Sequence, residues 1–215
     1  MSIYIGNNKY KEIYLGSNKI SEVYLGSTKI YGSATPGPIP PNTVRVRTAN
    51  RIAPNKGSAT YATATLVPGT TDVYDVYKSG TDFNSLLYES DNVIEVLGAN
   101  TTGITNMYGM FYRCSLTSVA LFDTSSVTNM GLMFYDCSSL TSIPLFNTSS
   151  AELMDYMFFD CYNVQSGALA LYQHASTQAI PPFSYGNCFS NCGVSTQTGM
   201  AELAQIPSSW GGYGS

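Results

Sequence analysis

Residues 104 to 163 say nearly the same thing three times, and that repetition constrains the chain more than any other feature. Ile104-Thr105-Asn106-Met107-Tyr108-Gly109-Met110-Phe111-Tyr112-Arg113-Cys114 is answered by Val127-Thr128-Asn129-Met130-Gly131-Leu132-Met133-Phe134-Tyr135-Asp136-Cys137. A third version runs from Ala151 through Met154, Met157 and Phe158 to Cys161. Between them Leu116-Thr117-Ser118-Val119-Ala120-Leu121-Phe122-Asp123-Thr124 returns as Leu140-Thr141-Ser142-Ile143-Pro144-Leu145-Phe146-Asn147-Thr148. No single unit of this size can bury its apolar residues alone, so neighbouring units must stack and share a core.

Each unit divides into two halves. Val127, Met130, Met133 and Phe134 recur at spacings of three and four, which predicts one face of a short helix capped by Ser125 or Ser126. Leu140, Ile143, Leu145 and Phe146 lie in a segment too short for a stable helix, which predicts a strand pairing in parallel with its neighbours. Asn147-Thr148-Ser149-Ser150 supplies the corner. A repeat in the range of 20 to 29 residues with a strand and a helix is the leucine-rich-repeat pattern.

The wording Phe-Asn-Thr-Ser-Ser at 146–150, Thr-Asn-Met at 128–130 and Met-Phe-Tyr-Asp-Cys-Ser-Ser-Leu-Thr-Ser-Ile at 133–143 resembles the BspA-like leucine-rich-repeat family of bacterial surface proteins and phages. The resemblance covers about residues 83 to 165. It implies a curved repeat used for binding, without attached catalysis, and does not name the partner. The expected fold class is therefore an α+β repeat protein: a leucine-rich-repeat solenoid over 83–165, with a strand plus a short helix per 23–24-residue repeat.

The flanking segments complete the division. Residues 1–31 repeat every ten, as Ile3-Tyr4-Ile5-Gly6, Ile13-Tyr14-Leu15-Gly16 and Val23-Tyr24-Leu25-Gly26, each unit reading as a strand followed by a turn containing Lys. Three such strands bury little on their own. Completion by self-association, a trimer being favoured, or by docking on other virion proteins is expected, with Tyr4, Tyr14 and Tyr24 as assembly residues. Similar Tyr-Leu-Gly-Ser repeats open phage structural proteins, and that resemblance implies anchoring to a particle.

Residues 32–42 hold four prolines and two glycines and read as a semi-stiff linker. Residues 43–82 form a β-rich lead-in, where Arg45, Arg47, Arg51 and Lys56 are expected on the solvated face of an edge strand, with a polyanion site as the lesser alternative. Leu87, Val93, Val96 and Asn100 lie 47 residues, two repeat lengths, before Phe134, Leu140, Ile143 and Asn147, so 83–102 is a worn first repeat. Residues 166–215 are expected as a helical cap, with helices over 167–175 and 198–205 and a residual Phe189-x-x-Cys192.

Chemistry-bearing residues are few. Cys114, Cys137, Cys161 and Cys192 share one repeat position and read as buried thiols; Cys188 and Cys192 could at most form a strained local bridge. No zinc knuckle, nucleophile motif or phosphate loop is present, and His174 reads as an ordinary helix residue. Catalytic, cofactor and metal sites are all expected to be none. Lys and Arg end at Arg113 while six acids follow it, so the repeat half is mildly acidic and unsuited to nucleic acid. No opening signal peptide or membrane span is legible.

Binding remains, on two candidate faces: the hydroxyls of Thr117, Ser118, Thr141 and Ser142, and the aromatics Tyr108, Tyr112, Tyr135 and Tyr156 with Phe159 and Tyr162. The expectation is a non-enzymatic phage virion protein, a fibre or decoration protein, whose repeat region binds a host surface protein or glycan. A bacterial cell-surface adhesin is the first alternative. An enzyme acting on surface polysaccharide is the second.

Overall fold

The computed structural model of the protein describes residues 13–15, 18–20, 22–25, 28–32, 36–55 and 58–214, the first four segments as backbone only. It divides into two compact units, the second being Pro38–Val67 with Thr71–Ser215.

In the first unit Ile13–Leu15 (β1) pairs antiparallel with Asn18–Ile20 (β2), and Glu22–Leu25 (β3) with Thr28–Gly32 (β4). The second and third ten-residue units thus each fold back on themselves as a hairpin instead of supplying one long strand. Leu15 pairs with Asn18 and Leu25 with Thr28, so two residues separate the strands, the shortest hairpin connection. Tyr4 lies outside the described residues, as do the side chains of Tyr14 and Tyr24.

The second unit opens on Ile39, whose Cδ1 lies where a Cβ on Gly98 would meet it at 2.9 Å, and whose carbonyl accepts from Asn100 Nδ2 at 3.2 Å. Its main sheet is mixed and five-stranded, in the order β6-β7-β5-β8-β9: Thr63–Leu66, Val73–Tyr77, Thr43–Thr48, Val93–Asn100 and Ser118–Val119. The first four pair antiparallel and β8 pairs parallel with β9.

β5 is the central strand, which corrects the edge-strand expectation for its arginines. Val44 and Val46 are fully buried, and the alternate positions carry ions that need partners in that setting. Arg45 forks onto Asp75 on β7, Nε to Oδ1 at 2.7 Å and Nη2 to Oδ2 at 2.8 Å. Arg47 donates to Glu95 at 2.6 Å and to Asp72 at 3.2 Å. Neither guanidinium is left for a polyanion.

The expected leucine-rich-repeat solenoid of strand-plus-helix units is overturned. Among the described residues the only α-helices are Ala168–Ser176 (α1) and Gln197–Leu203 (α2), both beyond the repeats. The strand half shrinks to β8, β9 and a single bridge between Ser142 and Ser166.

The supposed helix is a pair of turns, and its cause lies in backbone angles. Gly109 and Arg113, Leu132 and Asp136, Tyr156 and Asp160, Asn187 and Asn191, and Ser85 and Glu89 all have φ between 53° and 59°. A left-handed residue at every such position blocks the i to i−4 bonds of an α-helix. Bonds of the β-turn kind form instead, as Met110 N–H to Met107 at 3.1 Å and Cys114 N–H to Phe111 at 3.1 Å. Ser125 and Ser126 consequently cap no helix.

Backbone amides released from local pairing bond to the next copy of the turn. Met107, Gly109, Phe111 and Arg113 donate to Asn129, Gly131, Met133 and Tyr135 at 2.8–2.9 Å. Equivalent sets join the turns beginning at Asp82, Asn106, Asn129, Leu153 and Ser184, which are also linked by parallel bridges. Val127, Met130, Met133 and Phe134 still point inward and are buried. Phe111, Phe134, Phe158 and Phe189 stack in sequence with centroids 5.1–5.9 Å apart.

Both ends of this ladder are covered. At the first, β8 ties the worn repeat to β5; at the last, the ring of Trp210 stacks on Tyr185 at 4.2 Å. Glu202 on α2 accepts from the amides of Gly167 and Leu169, satisfying the start of α1.

Candidate binding groove

One side of the turn ladder carries aromatic side chains in register. Tyr88 stacks on Tyr112 at 4.3 Å with planes 4° apart, Tyr112 on Tyr135 at 4.8 Å, and Tyr135 on Phe159 at 5.0 Å. Offset-parallel rings at these separations add roughly 0.5–1.5 kcal/mol per pair beyond buried area. Burial first, then a hydrogen bond with Tyr112, pushes the Tyr88 phenol up to about 12. Arg113 lies 5.4 Å above the Tyr112 ring, and its guanidinium reaches Asp136 at 3.2 Å and Glu89 at 3.8 Å on the flanking turns.

Beside this stack is an open groove of about 480 Å³, within the usual range for small-ligand pockets. Tyr88, Tyr108, Tyr112, Tyr135 and Tyr156 line it together with Asn129, Gly131 and Asp155. Leu132 and Leu153 complete the wall. Tyr108, Gly131 and Asp155 are equivalents in successive turns, and the middle one has no side chain. A Cβ on Gly131 would already lie 3.3 Å from the Tyr108 ring and from Asn129 Oδ1.

Two polar groups converge there. Asn129 Oδ1 accepts from Gly131 N–H at 3.0 Å, which leaves the amide nitrogen as a donor. Asp155 Oδ1 accepts from Gly186 N–H at 3.0 Å, which leaves Oδ2 as an acceptor. Tyr108 and Tyr156 stand outside the parallel stack and are each 39% exposed.

The aromatic residues expected at a binding face, Tyr108, Tyr112, Tyr135 and Tyr156, are therefore brought to one groove. The hydroxyl set is not part of it. Thr117 Oγ1 donates to Ile94 at 3.0 Å, Thr141 Oγ1 to Thr117 at 3.1 Å, and Ser118 Oγ to Glu95 at 3.2 Å, so these hydroxyls are tied to their neighbours. Ser142 is exposed beside them. Tyr162 is half-buried away from the groove lining, and His174 is exposed on the last turn of α1.

Tyr88, Asn129, Gly131 and Asp155 were not singled out by sequence reasoning. Tyr88 was within reach, since it lies 24 residues before Tyr112 and 47 before Tyr135. The missing side chain at Gly131 shows only when its equivalents Tyr108 and Asp155 are aligned with it.

The cysteines line the opposite, inner side. Cys114, Cys137 and Cys161 each donate their thiol at 3.1 Å to a carbonyl of the preceding turn, and all five cysteines are buried and free. Among the described residues no group of three or more His, Cys, Asp or Glu is placed to hold a metal ion. No helix there is long and apolar enough to cross a membrane.

No curated protein and no solved structure matches the chain. Residues 81–180, which hold four of the five ladder turns and the groove, match the model of a family described as Mycoplasma protein of unknown function, DUF285, a family associated with BspA-like leucine-rich repeats.

Proposed function

We propose that this chain is a non-enzymatic structural protein of a phage virion, a fibre or decoration protein. Residues 1–31 anchor it to the particle or assemble it into a closed oligomer, and the second unit binds a host surface molecule. One observation carries the binding half: five tyrosines converge on an open groove of about 480 Å³ that also holds one uncommitted carboxylate oxygen and one uncommitted amide donor. Tyrosine supplies large contact area at low conformational cost, which suits recognition. The anchoring half rests on the ten-residue repeat and its pairs of short hairpins, which bury too little to be stable alone.

A second reading, a bacterial surface adhesin with the same groove, is favoured by the Mycoplasma description of the matching family, since that genus is cellular. The two readings share the groove and differ in what residues 1–31 do. Labelled full-length protein incubated with a panel of bacterial cells should stain a subset of them, and Tyr108→Ala should remove the staining. Staining of no cell, or staining indifferent to Tyr108→Ala, sinks the groove as the binding site. Light scattering on the full chain and on a chain beginning at Pro38 tests assembly: a trimer that becomes a monomer supports the virion reading. Two monomers would remove self-assembly and leave the adhesin reading ahead.

A further inference from the structure

We infer that the groove takes a neutral, hydroxyl-rich saccharide, an inference that rests on the groove being the binding site. Charge narrows the ligand first. Asp155 is the single ionisable carboxylate in the lining, and no Lys, Arg or His joins it. The nearest guanidinium along the tyrosine stack, that of Arg113, is engaged between Glu89 and Asp136. A phosphate, a sulfate or a uronic acid would meet a carboxylate with no compensating cation, and such burial of like charge is unfavourable.

Hydrogen-bonding capacity narrows it further. Asn129 and Asp155 lie on consecutive turns of the ladder, and both line the groove. Their local bonds to Gly131 and Gly186 hold both side chains and leave one donor and one acceptor among the groove-lining groups. A donor and an acceptor in one groove suit the hydroxyls of a sugar, each of which both donates and accepts. The stacked rings of Tyr112 and Tyr135 have their faces against one another and offer hydroxyl edges. Tyr108 and Tyr156, outside that stack, offer ring surface for the C–H face of a pyranose. Aliphatic surface comes only from Leu132 and Leu153, both half-buried.

The test uses the full chain and cells that it stains. Mild periodate, which cleaves vicinal diols, should abolish staining, and protease treatment of the cells should not. Polysaccharide released from those cells is then separated by anion exchange, and the unretained neutral fraction should compete. Asp155→Asn keeps an acceptor for Gly186 and removes the charge, and it should weaken competition about tenfold. Gly131→Tyr should abolish binding by crowding Tyr108 and Asn129, with Tyr108→Ala as the variant that adds no bulk, and Tyr108→Ala and Asp155→Asn should keep the wild-type unfolding midpoint. Loss of staining to protease but not to periodate, or competition by the acidic fraction alone, overturns the saccharide inference and leaves the groove as a binding site. Staining unchanged in Tyr108→Ala and Asp155→Asn overturns both together.

Discussion

The rings of Phe134 and Phe158, 24 residues apart in the chain, stack 5.1 Å from each other with planes 7° from parallel. The contact exists because Phe134 N–H donates to the carbonyl of Met157, which holds two copies of the same turn in register. Phe134 also stacks on Phe111 at 5.3 Å and on Phe146 at 5.8 Å, so it joins both halves of the repeat.

Phe134→Ala should therefore be among the most damaging single changes in the molecule. A fully buried phenylalanine lost from a packed column costs about 3–5 kcal/mol. Urea denaturation of the two proteins measures it. A loss under about 1 kcal/mol would show that the column is not packed as described.

Gly109→Ala isolates the backbone. Gly109 has φ of 58° and its added Cβ would meet Tyr88 ring atoms at 3.5–3.7 Å and Ser85 Oγ at 3.9 Å, ordinary contacts. The expected cost is about 1 kcal/mol from the left-handed conformation alone. Gly186→Ala, where φ is not positive and the nearest atom is 3.4 Å away, is the control and should cost less.

That left-handed position explains what could and could not be read from the chain. The repeat length, the buried thiol position and the worn first copy at 83–102 were all legible, because stacking demands the same inward residues in each copy. The helix was not, because two successive turns bury Val127, Met130, Met133 and Phe134 on the spacing that an amphipathic helix would use. The discriminating signal was the run of turn formers at the left-handed places: Gly109, Asp136, Asp160, Asn187 and Asn191. Ser85, Glu89, Arg113, Leu132 and Tyr156, which do not favour that conformation, occupy the other five equivalent places and mask it. The arginines of β5 misled for a different reason. Their partners are Asp75 on β7, Asp72 just before it and Glu95 on β8, and only the pairing order brings them together.

The five thiols should be silent in the folded protein. Burial raises all of them, Cys114 to about 12 and Cys137 and Cys161 further. Ellman's reagent at pH 8 should find none in the native state and five in guanidinium chloride. The linkage has a definite sign. The native state keeps protons that the unfolded chain releases near the ordinary value of 9.0, so stability is full below about pH 9 and falls as pH rises toward 12. A thiol that reacts at once in native protein would contradict the burial.

Asp75 and Asp136 both accept from an arginine, and their replacement should separate a structural ion pair from a surface one. Asp75 meets Arg45 through two bonds at 2.7 and 2.8 Å, and the two side chains are only 19% and 9% exposed. Losing the charge there weakens two charge-assisted bonds in a dry setting, so Asp75→Asn should cost about 2–3 kcal/mol. Asp136 meets Arg113 through one contact at 3.2 Å, with side chains 33% and 52% exposed. Solvent screens that pair, and Asn tolerates the left-handed backbone at 136, so Asp136→Asn should cost less than about 1 kcal/mol. Added salt sharpens the contrast: 1 M sodium chloride should shrink the second difference toward zero while leaving most of the first. Equal losses at the two positions, or equal sensitivity to salt, would show that β5 is not the interior strand that its pairing makes it.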